Sequence, residues 1–194
     1  MISFLLREAE LKFRRSLRGN EMQTLVWLYS DYGMDISLIL MLVEYAISET
    51  KANIGFIEST ALIWIESGID SITAAERYIE EQSQKKTAWS IISRIFGLDH
   101  RSPSTKELEF SYRWINEWKF KKDMLKEAYD KCIDAKGNIS FSYINKILET
   151  WHKKDITTIE QITTKEKSPA KSKGKGSFST YDKALVDKLL NSDD

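Results

Sequence analysis

The segment from Tyr143 to Lys154 sets a phenol, a branched aliphatic and an indole at four-residue steps, Tyr143, Ile147 and Trp151, and follows them with His152, Lys153 and Lys154. On a helix that spacing makes one stripe. Rings beside cations are what single-stranded nucleic acid asks of a protein: bases stack on aromatic faces for about 1–3 kcal/mol each, and ammonium groups neutralise phosphates. The same stripe is also how a helix covers a core, so the pattern permits binding without requiring it. A second basic run follows. TTKEKSPAKSKGKGS carries Lys165, Lys167, Lys171, Lys173 and Lys175 among Ser, Gly and Pro residues that build no core. The expectation is a disordered tail from about Thr163 to Ser177, open to phosphates. Beyond it, FSTYDKALVDKLL has the pattern of a short amphipathic helix using Tyr181, Leu185 and Leu189, suited to a groove on this chain or on a partner.

Other chemistries fail on spacing. The Gly174-Lys175 pair is no phosphate loop, because Pro169 stands where the leading Gly belongs and Gly176 where Ser or Thr belongs. IDAKGNIS is no calcium loop, because setting Gly137 at the turn puts Cys132 first and Tyr143 last, where carboxylates are required. The two histidines, His100 and His152, and the one cysteine, Cys132, lack metal spacing and form no triad. Cys132 falls in the apolar phase of a helix and reads as a buried, inert thiol. The expectation is a protein that is not an enzyme, with no metal and no cofactor.

The elements that position these residues repeat. FSYINKILETW (Phe141 to Trp151) lies 87 positions after IGFIESTALIW (Ile54 to Trp64), with Phe56-Ile57 over Tyr143-Ile144 and Trp64 over Trp151. Upstream, LYSDYGM (Leu28 to Met34) lies over WINEWKF (Trp114 to Phe120), and Asn53-Ile54 over Asn138-Ile139 if a short loop insertion is allowed. Two divergent copies are implied, residues 1–81 and 82–162, joined through the polar EEQSQKK, with the tail at 163–194. With 2 Pro and 8 Gly in 194 residues and apolar spacings of three and four, each copy reads as helices. Ile2, Leu6, Ala9, Phe13 and Leu17 stripe the first. Asn20 with Gln23 opens the second, which closes at Gly33. Asp35 caps ISLILMLVEYAI, apolar nearly all round and therefore central; its counterpart is Lys121 to Ile133. Thr73 with Glu76 opens the last helix of the first copy. In the second, Ser104 with Glu107 and Thr157 with Glu160 do the same work. The fold expected is all-α: two tandem, structurally similar small helical domains and a flexible lysine-rich C-terminal tail.

The order Phe96-Gly97, SPSTKELE, WINEWKF and SYINKILETWHKKDITTIEQI resembles the DnaD-like (DnaB/DnaD) C-terminal domain of primosome proteins in low-GC Gram-positive bacteria and their phages. The most specific element is the Tyr-x3-Ile-x3-Trp pattern, met by Tyr143, Ile147 and Trp151. The first copy keeps DYGMD and Trp64 but has Phe56 for the Tyr and Thr60 for the Ile, so the resemblance carries its fold and not its function. What the resemblance implies is a non-enzymatic part in replication initiation or restart: binding DNA, single-stranded and also duplex, helping to load the replicative helicase, contacting other primosome proteins or the helicase loader, and self-association. The N-terminal winged-helix domain usual in that family is not legible in this sequence.

Charge divides the molecule in the same sense. Residues 1–81 hold 7 Lys and Arg against 13 Asp and Glu, residues 82–162 hold 15 against 11, and residues 163–194 hold 7 against 5, so a net charge of zero hides an acidic first copy and a basic second one. A phosphate backbone prefers the second copy and the tail. The expected DNA-contacting set is therefore Tyr143, Ile147, Trp151, Lys153, Lys154, Lys165, Lys167, Lys171, Lys173 and Lys175. The other reading is a protein-interaction scaffold whose acidic first copy docks replication proteins. No apolar run approaches the roughly 18–20 residues that span a bilayer, and the start meets Arg7 too early for a signal peptide, so a cytoplasmic location is expected.

Overall fold

The computed structural model describes residues 1–50 and 52–165, and among them it is helical throughout, with no strand. The first copy is α1 (Ile2–Phe13), α2 (Gly19–Ser30), α3 (Ile36–Ser48), α4 (Ile54–Glu66) and the first half of α5 (Ile72–Phe96). The second half of α5 then begins the second copy, followed by α6 (Thr105–Tyr112), a π-helical turn (Arg113–Glu117), α7 (Lys122–Lys136), α8 (Phe141–Lys153) and α9 (Ile159–Lys165). The all-α, two-copy expectation holds. The segment read as a joint is different: EEQSQKK is the middle of one 25-residue helix. Its polar face is laced by local pairs, Lys85 with Glu81 at 2.7 Å and Gln84 donating to Glu80 at 2.7 Å, so charge that reads as a linker instead supports an exposed helix. Ala75, Tyr78 and Ile79 of α5 belong to the first core, and Trp89, Ile92 and Phe96 to the second.

Each core follows from the apolar pattern of its helices. α3 buries Ile36, Leu38, Ile39, Leu42, Val43, Tyr45 and Ala46 and packs against α1, α2, α4 and α5, the central place its composition predicts. α8 is one-faced and buries Phe141, Ile144, Ile147, Leu148 and Trp151. At about 1.5–3 kcal/mol per buried large apolar side chain, that stripe is the main reason α8 sits where it does.

Two turns are shared bond for bond between the copies. Met34 N donates to Leu28 O at 3.0 Å, and Phe120 N to Trp114 O at 3.0 Å; Ile69 N donates to Trp64 O at 2.8 Å, and Ile156 N to Trp151 O at 2.9 Å. The left-handed residue in these turns is Gly33 (φ 65°) and Gly68 (φ 67°) in the first copy, but Lys119 (φ 57°) and Asp155 (φ 49°) in the second. Ahead of α2 and α6 stands the same ion pair. Arg15 grips Glu21 through two bonds of 2.7 Å, and Arg101 grips Glu107 at 2.8 and 2.5 Å. Each glutamate also accepts a backbone N–H three residues back, from Arg18 and from Ser104, both at 2.8 Å. The arginine bonds, chiefly, hold both carboxyls down to about 2 against the burial that raises them.

That clamp corrects one expected helix start: α2 begins after Arg18, not at Asn20, because Glu21 reaches back to the Arg18 N–H. Two more starts move. α5 is capped by Ser71, which accepts from Ala74 N at 3.4 Å, in place of Thr73 with Glu76. Ahead of α9, Thr157 N donates to Gln161, so Thr157 is bonded to Gln161 in place of Glu160. Asp35, Asn53 and Ser140 cap α3, α4 and α8. Asn53 therefore corresponds to Ser140, without the insertion that pairing it with Asn138 required.

Candidate nucleic-acid interface

The predicted stripe does not stay together at the surface. Ile147 is 7% exposed and Trp151 1% exposed, both inside the second core. A base needs an open ring face to stack on, and in this fold Trp151 has none to give. Tyr143, one turn into α8, is partly buried, with Lys136 Nζ 5.7 Å from its ring centre. Lys153 and Lys154 lie at the other end of α8 and are exposed. α9 continues the helical backbone through Lys165, so residues 163–165, expected in the tail, are helical. Lys167, Lys171, Lys173, Lys175 and the amphipathic segment after them lie outside the described residues.

What Lys153 and Lys154 join is a feature the sequence did not single out. His152 stacks on Trp118, ring centres 5.1 Å apart and planes 17° from parallel. Trp118 ends the π-helical turn, in which Trp118 N donates to Arg113 O at 2.8 Å, a five-residue step that widens the helix. The turn is pinned on two sides. Trp114 Nε1 donates to Asn145 Oδ1 of α8 at 3.0 Å, and Asn116 Nδ2 to Gln84 Oε1 of α5 at 3.3 Å. Arg113 stands 6.0 Å from the Trp118 ring centre. After Trp118 come Lys119, Lys121 and Lys122, all exposed. The Trp118–His152 stack thus gathers a cationic segment from before α7 and another from the end of α8 beside a partly open indole.

Carboxylates temper this face. Glu117 lies 3.8 Å from Arg113, and Glu149 accepts from Lys153 at 2.5 Å. The Glu149 carboxyl is held below its usual range first by that bond and in smaller part by the charge of Arg113. Residues 113–123 and 149–155 together hold six Lys and Arg against four Asp and Glu. The corresponding residues of the first copy, 27–37 and 62–68, hold three acids and no cation: Trp27 stands for Arg113, Tyr32 for Trp118, Gly33 for Lys119, Asp35 for Lys121, Ile65 for His152 and Glu66 for Lys153. There the pair at this place is Trp27 edge-on to Tyr32 at 4.6 Å. One fold presents a basic aromatic face in one copy and an acidic aromatic face in the other.

Only one wall of this face is legible in the sequence. Trp118, Lys119, Lys121 and Lys122 form one aromatic-basic run, but only contact across 34 residues with His152 gives it a second wall. Compared with known families, the chain matches the one described as replication initiation and membrane attachment, once over residues 6–79 and again over 90–166. No curated protein and no solved structure matches it.

Proposed function

Since the chain belongs to the replication initiation and membrane attachment family, matched twice over most of its length, we propose that it acts in that process as a non-enzymatic DNA-binding module. Its role in replication initiation comes with the family. The finer reading is that the second copy grips the phosphate backbone through Arg113, Lys119, Lys121, Lys122, Lys153 and Lys154, with Trp118 beside them, and that the first copy faces protein. In this reading the molecule helps to seat the replicative helicase on DNA, partnered by primosome proteins and assisted by the basic residues from Lys165 onward.

The observation that carries it is the Trp118–His152 stack between two cationic segments. The contrast with the first copy supports it, because the same surface there would repel phosphate. That the chain is not an enzyme is itself part of the proposal. Cys132 is buried against the carbonyls of Asn138 and Ser140 at 3.5 and 3.7 Å, and among the described residues no three His, Cys, Asp or Glu converge as metal ligands. The scaffold reading keeps one specific support, the acidic face with Asp31, Asp35 and Glu66.

No helix among the described residues is long and apolar enough to cross a membrane, yet a basic face also suits anionic lipid. The test is therefore titration of the whole chain with single-stranded DNA, duplex DNA and phosphatidylserine vesicles at two salt concentrations. DNA binding that weakens steeply with salt supports the reading. Binding to vesicles alone, or to neither, overturns it.

A further inference from the structure

The second copy contains a column of rings that the fold itself does not require. Phe110 stacks on Trp114 (5.8 Å, 9°), Trp114 on Phe141 (5.7 Å, 12°) and Phe141 leans on Trp89 (6.0 Å, 31°), with Arg101 5.3 Å from the Trp89 ring centre. In the first copy the positions matching Phe110, Trp114 and Phe141 are Thr24, Leu28 and Ile54, with no ring among them. Phe110, the outer ring of the column, and Phe141 both border a cleft of about 340 Å³ between the start of α6, the loop before it and the start of α8. Phe110, Phe141, Lys106, Ser104 and Ser142 line it, together with the Arg101–Glu107 pair. Lys106 is exposed and one helical turn from Phe110, so cation and ring share a face of α6. Glu107 is already occupied by Arg101 and by the Ser104 N–H, so its charge is compensated within the wall.

We infer that this cleft is a subsite for one unstacked nucleobase of a single strand, which lengthens the ring column against Phe110 while Lys106 meets a flanking phosphate and the hydroxyls of Ser104 and Ser142 meet the base edge. The volume is at the small end for ligand pockets and suits a single nucleotide unit. A base within duplex is stacked on both sides and must leave the helix to enter, which makes the subsite selective for single strands. The inference rests on the reading that the second copy binds DNA, but it uses none of the residues of the Trp118–His152 face.

The test is anisotropy of the full chain with a single-stranded oligonucleotide carrying 2-aminopurine and with the matching duplex, for wild type, Phe110→Leu and Lys106→Gln. Lys106 is exposed and its substitution leaves the core alone; thermal melting checks Phe110→Leu. The expected result is 2-aminopurine quenching in wild type that Phe110→Leu removes, with single-strand affinity down about five- to one-hundredfold and duplex affinity within about twofold. Lys106→Gln lowers the salt slope for the single strand by about 0.7. Unchanged single-strand affinity in folded Phe110→Leu, or equal loss on both DNAs, overturns the subsite while leaving the cationic face standing. If variants of that face keep full DNA affinity and Phe110→Leu alone loses it, the subsite stands and the face falls. A wild type that binds neither DNA removes both.

Discussion

Trp118 stacks on His152, the residue after Trp151 on α8, yet the two tryptophans do opposite work. Trp151→Ala empties a site that is 1% exposed and is expected to cost about 3–5 kcal/mol in a denaturant titration, with DNA affinity of the remaining folded protein unchanged. Trp118→Ala, at a partly buried ring, is expected to lose about 1–3 kcal/mol of single-strand affinity with a smaller stability loss. The reverse pattern would return the stacking role to Trp151. Periodicity showed that Tyr143, Ile147 and Trp151 share a face; it carries no information on whether that face is covered, and the packing of α8 on α6 and α7 decides it. The glutamate clamps were missed at this scale for a similar reason. A lone Arg and Glu six residues apart across a loop have no regular spacing to betray them. Because the folded carboxyls of Glu21 and Glu107 sit at about 2, below the roughly 4.3 of an unfolded glutamate, their stabilisation is complete at neutral pH and is lost as pH falls from about 4.5 toward 2. With the half-open arginines screened by solvent, each is worth at most about 1 kcal/mol. Glu21→Gln and Glu107→Gln should each lower neutral-pH stability by that amount and flatten the acid limb of the stability curve; an unaltered acid limb would contradict the clamp.

At the scale of elements, Lys119 and Asp155 of the second copy are left-handed where the first copy has Gly33 and Gly68, while Arg14 and Thr50 of the first copy are left-handed where the second has Gly97 and Gly137. A left-handed side chain costs about 1–2 kcal/mol, part of which a glycine returns through the freedom of its unfolded chain. Lys119→Gly is therefore expected to raise stability by up to about 1 kcal/mol while removing a cation from the proposed face, so melting temperature rises and the salt dependence of DNA binding falls. Both quantities moving the same way would show that Lys119 does not serve binding. α5 offers the sharpest contrast between sequence and structure. Its polar middle carries no apolar stripe, and composition read it as a joint; what makes it helical is that both ends are anchored in cores and the middle is spanned by i,i+4 pairs, with Lys86 also ion-paired to Glu49 of the first copy. Ser83→Pro should cost about 3 kcal/mol or more if the helix is continuous. In a flexible joint it would cost almost nothing. The helix ends that were legible, Asp35 before α3 and Ser104 with Glu107 before α6, are those where a capping side chain stands next to a clear apolar run.

For the whole molecule, duplication followed by divergence of charge is the organising fact. The apolar spacings that build each core are shared and were readable as a repeat, together with the all-α class and the sign of each half. The face itself was not, because it is assembled from residues 113–123 and 149–155 by a tertiary contact that leaves no mark on either segment alone. The central claim is that phosphate is held there. Its most direct test is duplex DNA binding across a salt series for wild type and for a variant carrying Lys119→Gln, Lys121→Gln and Lys122→Gln, three exposed positions that leave the core intact. With about 0.9 of slope per lost phosphate contact, the account predicts that the log–log salt slope falls by about 2 to 3 and that affinity at low salt falls with it; an unchanged slope and affinity in a folded variant would contradict it.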